Sequence, residues 1–153
     1  MAIVDISTEL AAPAAAVWAA VKTPAAFRTV TRGVITMPVL NGRDDTWHEG
    51  ETVEGWVLLF GVLPFSRHHL TVADIDDADM TLRSQERGGL IRRWNHDIVV
   101  TPVDDSRCTY RDRIDIDAGV LTAMVVGYAR WFYRIRQRRW RALARTLAVG
   151  GLN

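Results

Sequence analysis

Residues 90–117 read LIRRWNHDIVVTPVDDSRCTYRDRIDID, and residues 119–149 read GVLTAMVVGYARWFYRIRQRRWRALARTLAV. The first stretch alternates. Trp94, His96, Ile98 and Val100 share one face of a strand over 90–103, and Cys108, Tyr110, Asp112, Ile114 and Ile116 share one face of a second over 107–117. Asp104-Asp105-Ser106 is a short polar loop between them, so the two strands form an antiparallel hairpin. The second stretch repeats at helical spacing. At 100° per residue Leu121, Val125, Tyr128, Phe132, Ile135 and Leu143 fall on one stripe, while Arg130, Arg134, Arg138, Arg141 and Arg145 cluster on another. A helix over 119–149 with an apolar stripe of that length needs a sheet to cover it.

Upstream of the hairpin, β-branched and aromatic residues recur in runs near 34–40, 51–60, 66–75 and 79–87. Asn41-Gly42, Gly61, Asp76-Asp77 and Gly88-Gly89 separate them, the spacing of an antiparallel meander. Ile3 to Leu10 predicts a first strand. Pro13 then starts a helix over Ala14 to Lys22, with Val17, Trp18 and Val21 at helical spacing, and Pro24 begins a second short helix around Ala25 to Arg28 that Gly33 ends. The predicted order is strand, two short helices, six antiparallel strands and one long helix. That is an α+β chain with a curved sheet of about seven strands.

The chain has 153 residues, and residues 1–153 are expected to form one domain. Its 48% apolar and 24% charged composition excludes the disordered and low-complexity classes. Three stretches carry no charge, 10–21, 55–66 and 118–129. Each falls well short of the roughly 20 residues a membrane-spanning helix needs. The N-terminus has no basic n-region, and Asp5 and Glu9 interrupt any apolar core of a signal peptide, so the expected location is the cytoplasm. Cys108 is the single cysteine, and it has neither a disulfide partner nor a Cys/His cluster for zinc. Residues 1–117 hold 12 basic and 18 acidic side chains, whereas residues 118–153 hold seven arginines and no acid. The acidic body cancels long-range steering by the basic helix, so no nucleic-acid partner is expected.

Four segments carry a resemblance: Ala12-Pro13 through Val17-Trp18; Trp94-Asn95-His96 followed by Thr101-Pro102; Tyr110-Arg111-Asp112 with Ala118-Gly119; and Tyr133 to Trp140, YRIRQRRW. With the element order they resemble the SRPBCC ligand-binding proteins of the START and birch-pollen-allergen superfamily. The resemblance covers nearly the whole chain and implies the helix-grip fold, with a cavity between sheet and long helix. It implies no single activity, because that fold serves lipid carriers, hormone receptors, and polyketide aromatases and cyclases.

Strand parity places candidate site residues in that cavity. A short loop at 104–106 pairs 98 with 112 and 96 with 114, which makes His96 and Asp112 diagonal neighbours on the concave face. Met80, Leu82, Ser84 and Glu86 take the same face, with Arg92 opposite Ser84. One strand further, hydrophobicity favours Leu70, Val72 and His68 inward, while a register slipped by one residue would turn His69 in instead. His96 with Asp112 reads either as a pair pinning two strands or as a ligand handle, with proton transfer a third role. Glu86, Arg92 and His68 read as a salt-bridge cluster at the rim. Trp56, Trp94, Tyr110, Tyr128 and Phe132 are candidate walls for a flat ligand, or plain core. Arg136 and Arg139 project toward the apolar side of the helix, so their charge must meet a carboxylate or a backbone carbonyl.

No HExxH, GxSxG or glycine-rich phosphate loop is present, and neither a metal nor a cofactor is expected. Non-covalent binding of a small, largely apolar molecule, lipid-like, polycyclic or polyketide-like, ranks first. A polyketide cyclase or dehydratase using the same cavity, with His96, Asp112 and Arg92 as candidate catalytic groups, is the competing class. An interaction module using the arginine face ranks third, and a homodimer is left open.

Overall fold

The computed structural model describes residues 2–150. One sheet contains seven strands: β1 (Ala2–Leu10), β2 (Ile35–Thr36), β3 (Thr52–Leu59), β4 (Leu63–Asp76), β5 (Thr81–Gly88), β6 (Ile91–Asp104) and β7 (Arg107–Asp117). Three α-helices accompany them, α1 (Ala14–Val21), α2 (Pro24–Thr31) and α3 (Thr122–Gly150). The strand order is β1-β7-β6-β5-β4-β3-β2, antiparallel throughout. This is the helix-grip arrangement, a curved antiparallel sheet wrapped about one long helix.

Curvature comes from irregular pairing. The register shifts between Val57 and Leu58, Val72 and Asp74, Glu86 and Gly88, and Pro102 and Asp104. Each such bulge bends its strand and raises the local twist, so the 14-residue strands β4 and β6 curl and leave a concave face. Gly88 is needed where that bend brings β5 against β4, since a Cβ there would lie 2.4 Å from the Arg67 carbonyl oxygen.

The 34–40 run departs from expectation. Only Ile35–Thr36 form a strand, because Pro38 has no N–H to give a ladder and opens a 3-10 turn over Pro38–Leu40. That turn presses Val39 on β3 opposite Gly55, where a Cβ would come within 2.9 Å of it.

The short helices start as their sequence signals predict. The Thr23 hydroxyl accepts from the Ala26 N–H at 3.1 Å and Pro24 occupies the first turn of α2, where its missing donor costs nothing. Val17, Trp18 and Val21 of α1 are buried against the end of the sheet. α3, about 44 Å long at 1.5 Å per residue, packs chiefly along β1, with α2 and β7 as lesser neighbours. None of the helices is long and apolar enough to cross a membrane among the described residues.

Candidate functional site

Between the concave face and α3 lies a cavity of about 350 Å³. Leu70 and Val72 of β4, Leu82 of β5 and Ile98 of β6 form its apolar floor. Phe27 of α2 and Trp47 of the loop before β3 close one end, meeting edge to face with ring centroids 6.5 Å apart. Leu59, Phe65, Ile91 and Met124 surround the other end, where Phe65 and Met124 are exposed. Walls of this kind take up an apolar body and leave orientation to a few polar groups.

Those polar groups form a belt across four strands and the helix. His68 Nε2 lies 2.9 Å from Glu86 Oε2, and the Ser84 hydroxyl donates to Glu86 Oε1 at 2.8 Å. Ser84 is paired with His96, whose Nε2 lies 2.8 Å from Asp112 Oδ1. The Tyr110 hydroxyl donates to that same oxygen at 2.9 Å, and Gln137 Nε2 donates to Asp112 Oδ2 at 3.3 Å. Arg136 Nη2 donates to the Tyr110 hydroxyl at 3.3 Å. Trp94 Nε1 donates to the Tyr133 hydroxyl at 3.2 Å, with the two rings stacked.

Burial opposes ionisation of Asp112, yet the Arg136 charge and the His96 and Tyr110 hydrogen bonds outweigh it and hold the carboxyl below its ordinary value. The same contest favours the charged form of Glu86, where burial is overcome by His68, the His96 charge and Ser84. Burial drives the Tyr110 and Tyr133 phenols far up, so both act as hydrogen-bonding groups at any ordinary pH. The Cys108 thiol is pushed up to about 11 by burial, too high for thiolate chemistry near neutrality.

The structure brings His68, Trp94, His96, Tyr128 and Phe132 together as cavity lining, with Ser84 and Glu86 beside them. His96 and Asp112 do sit diagonally, with His96 opposite Ile114 and Ile98 opposite Asp112. His68 points inward with Leu70 and Val72, while His69 is only half-buried beside Glu54.

Four other residues do not line the cavity. Trp56 is 51% exposed on the convex face, because Val53 and Val57 take the inward parity of β3. Tyr110 is fully buried one layer behind the wall, its ring 4.9 Å from Trp140, and Asp112 sits behind His96 with it. Arg92 is exposed, since the shift at the end of β5 pairs Gly88 with Ile91 and turns Ile91 inward in its place. His96, rather than Arg92, lies opposite Ser84. The expected rim cluster of Glu86, Arg92 and His68 is therefore a pair in the cavity wall, buried His68 with partly exposed Glu86, without the arginine.

α3 is rotated relative to its predicted stripe. Its buried residues are Val126, Ala129, Phe132, Tyr133, Arg136, Gln137, Trp140 and Ala144, while Leu121, Val125, Tyr128, Ile135 and Leu143 are only half-buried. Arg136 and Gln137 turn in because the sheet offers partners, Asp112 and the Ile6 carbonyl, the latter accepting from Gln137 Nε2 at 2.8 Å. Arg139 Nη1 donates to the carbonyls of Val30, at 3.3 Å, and Arg32. The required partners of both inward arginines were legible as a need, but Tyr133, Gln137 and Trp140 as site residues were missed. Arg130, Arg134, Arg138, Arg141 and Arg145 are exposed. Among the described residues, no group of three or more His, Cys, Asp or Glu side chains is placed to hold a metal ion.

A protein-family model described as a domain of unknown function, DUF8410, matches residues 8–147. No curated protein matches the chain. Solved structures do. The Zhui aromatase/cyclase from Streptomyces sp. R1128 superposes with a TM-score of 0.71 at 13% identity, covering 94% of this chain and 93% of that one. A START superfamily protein from Mycobacterium smegmatis gives 0.69 at 13% identity, over 95% and 98% of the two chains. Norcoclaurine synthase from Thalictrum flavum, in complex with dopamine and hydroxybenzaldehyde, gives 0.67 at 12% identity, over 93% and 85%. At such identities the similarity is one of fold alone, the helix-grip fold.

Proposed function

We propose that this chain, which belongs to the DUF8410 family, binds a small, largely apolar molecule non-covalently in the cavity between its sheet and α3. The observation that carries the reading is the cavity itself. Its volume of about 350 Å³ lies in the range of ligand sites, and its walls are apolar apart from one belt of ordered polar groups. Trp94, Tyr128 and Phe132 act as aromatic walls, and His68 and His96 as polar handles, each fixed by a carboxylate. Asp112 and Tyr110 orient His96 from behind rather than meeting the ligand.

A native mass spectrum of protein taken directly from cells tests this by showing a bound small molecule. Val72→Phe, which adds atoms to the floor, is expected to weaken binding of an apolar fluorophore at least tenfold in protein that circular dichroism shows to be folded. Unchanged fluorophore affinity in that variant would remove the cavity as the site.

A second reading, a polyketide cyclase- or dehydratase-type enzyme, is favoured by two histidine–carboxylate pairs on one cavity. Such groups can polarise a carbonyl or move a proton. Loss of a measurable reaction in His96→Gln, with affinity and melting temperature unchanged, would select it over the binding reading.

A further inference from the structure

Arg136 stands apart from every other charged group in the molecule. It is 4% exposed, lines the cavity, and holds its guanidinium between the rings of Phe27 and Tyr133, with Cζ 5.9 and 5.6 Å from their centroids. A guanidinium has five N–H donors. Here one of them is used, by Nη2 toward the Tyr110 hydroxyl at 3.3 Å. The nearest carboxylate oxygen, Asp112 Oδ1, is 3.8 Å from Nε, within ion-pair range and beyond hydrogen-bonding range. Asp112 is already engaged by His96, Tyr110 and Gln137. Nε is buried without a hydrogen-bond partner, and Nη1 has none among the described residues.

A buried guanidinium normally satisfies most of its donors with carboxylate or carbonyl oxygens, as a forked pair where it can. Arg139, three residues on, does so with two backbone carbonyls although it is less buried. Arg136 has an ion partner too distant to hydrogen-bond, and its other neighbours are aromatic faces and cavity. A group that completes it must bring acceptor oxygens from the cavity side, and a carboxylate, which carries negative charge and two oxygens in a fork, matches a guanidinium best.

We propose that Arg136 seats an anionic oxygen group of the ligand, so that the cavity takes an amphipathic carboxylic acid. Its carboxylate lies on the guanidinium and its apolar body along Leu70, Val72, Leu82 and Ile98. This rests on the binding function proposed above and adds the chemical class of the ligand.

Decanoic acid and 1-decanol, matched in chain length, are the probes, each titrated at pH 8 as a displacer of Nile red. The wild-type protein is expected to bind the acid at least tenfold more tightly than the alcohol. Arg136→Met is expected to abolish that preference while leaving alcohol affinity within about threefold of wild type. Because Arg136→Met strands the Asp112 charge, the double variant Arg136→Met with Asp112→Asn, which removes both charges, supplies a folded comparison. Arg136→Lys is expected to keep part of the preference through its charge alone. Equal affinities for acid and alcohol in the wild type would overturn the acid inference and leave the binding reading standing. A preference that survives in the Met variants would place the anion site elsewhere and overturn the inference as well. Failure of Nile red and both probes to bind would overturn the two together.

Discussion

Two histidine–carboxylate pairs of nearly the same length border the cavity, His68 with Glu86 at 2.9 Å and His96 with Asp112 at 2.8 Å, yet their surroundings differ. The Asp112 side chain is 0% exposed and gathers His96, Tyr110, Gln137 and the Arg136 charge. The Glu86 side chain is 15% exposed, lines the cavity, and among the described residues bonds His68 and Ser84. The first carboxylate is the hub that ties β6, β7 and α3 together, and the second is a wall group that a ligand can reach. Equal geometry at the pair thus goes with unequal roles, because what a buried charge contributes depends on how many other groups rely on it.

The largest test of this contrast is removal of each carboxylate. Asp112→Ala leaves Arg136 uncompensated and three donors unpaired, and is expected to destabilise by about 3–5 kcal/mol. Glu86→Ala, whose place cavity water can fill, is expected to cost about 1–3 kcal/mol. Urea unfolding of the two variants measures both, and equal losses would break the distinction between hub and wall.

Next in size are the histidines. His96→Gln is expected to lose about 1–3 kcal/mol, since it disturbs the buried Asp112 network, and His68→Gln less than that. Ligand affinity is expected to fall in both, because both rings line the cavity. A His96→Gln protein of wild-type stability would show that the pair is not a strut.

Acid is a gentler probe of the same groups. Both carboxyls are held below their ordinary values, 3.8 for Asp112 and 4.5 for Glu86. A group depressed in the folded state contributes stability that is present above its unfolded value and lost as pH falls through the folded one. Stability is therefore expected to hold at neutral pH and to decline below about pH 4. Asp112→Asn is expected to flatten that decline more than Glu86→Gln, as read from urea midpoints between about pH 6 and pH 3. The reverse ranking would make Glu86 the more strongly held carboxylate.

The fold and half of the site were legible in the residues because their signals are local. Alternation in 90–103 and 107–117, with a three-residue loop between, determines which side chains share a face and which pairs sit diagonally, so His96 and Asp112 follow without any tertiary information. The same parity in β3 contradicts Trp56 as a wall, since Val53, Val57 and Leu59 mark the inward positions. Arg92 has the right parity and still turns out, because the shift after Glu86 resets the pairing.

The rotation of α3 was beyond the sequence. A wheel centres the apolar stripe on Tyr128 and Phe132, with Arg136 at its edge and Gln137 outside it. What turns them inward is a set of partners more than twenty residues away in the chain, Asp112, Tyr110 and the Ile6 carbonyl, and no local pattern can report them. The sequence by itself determined the element order, the antiparallel hairpin, the helix that must cover it, and the need of two inward arginines for partners, since each follows from period and burial along a single segment. Only the tertiary structure decided which turn of α3 meets the sheet, that Asp112 lies behind the cavity wall and Glu86 in it, and that one guanidinium is left with donors to spare, because those outcomes depend on where four separate segments converge.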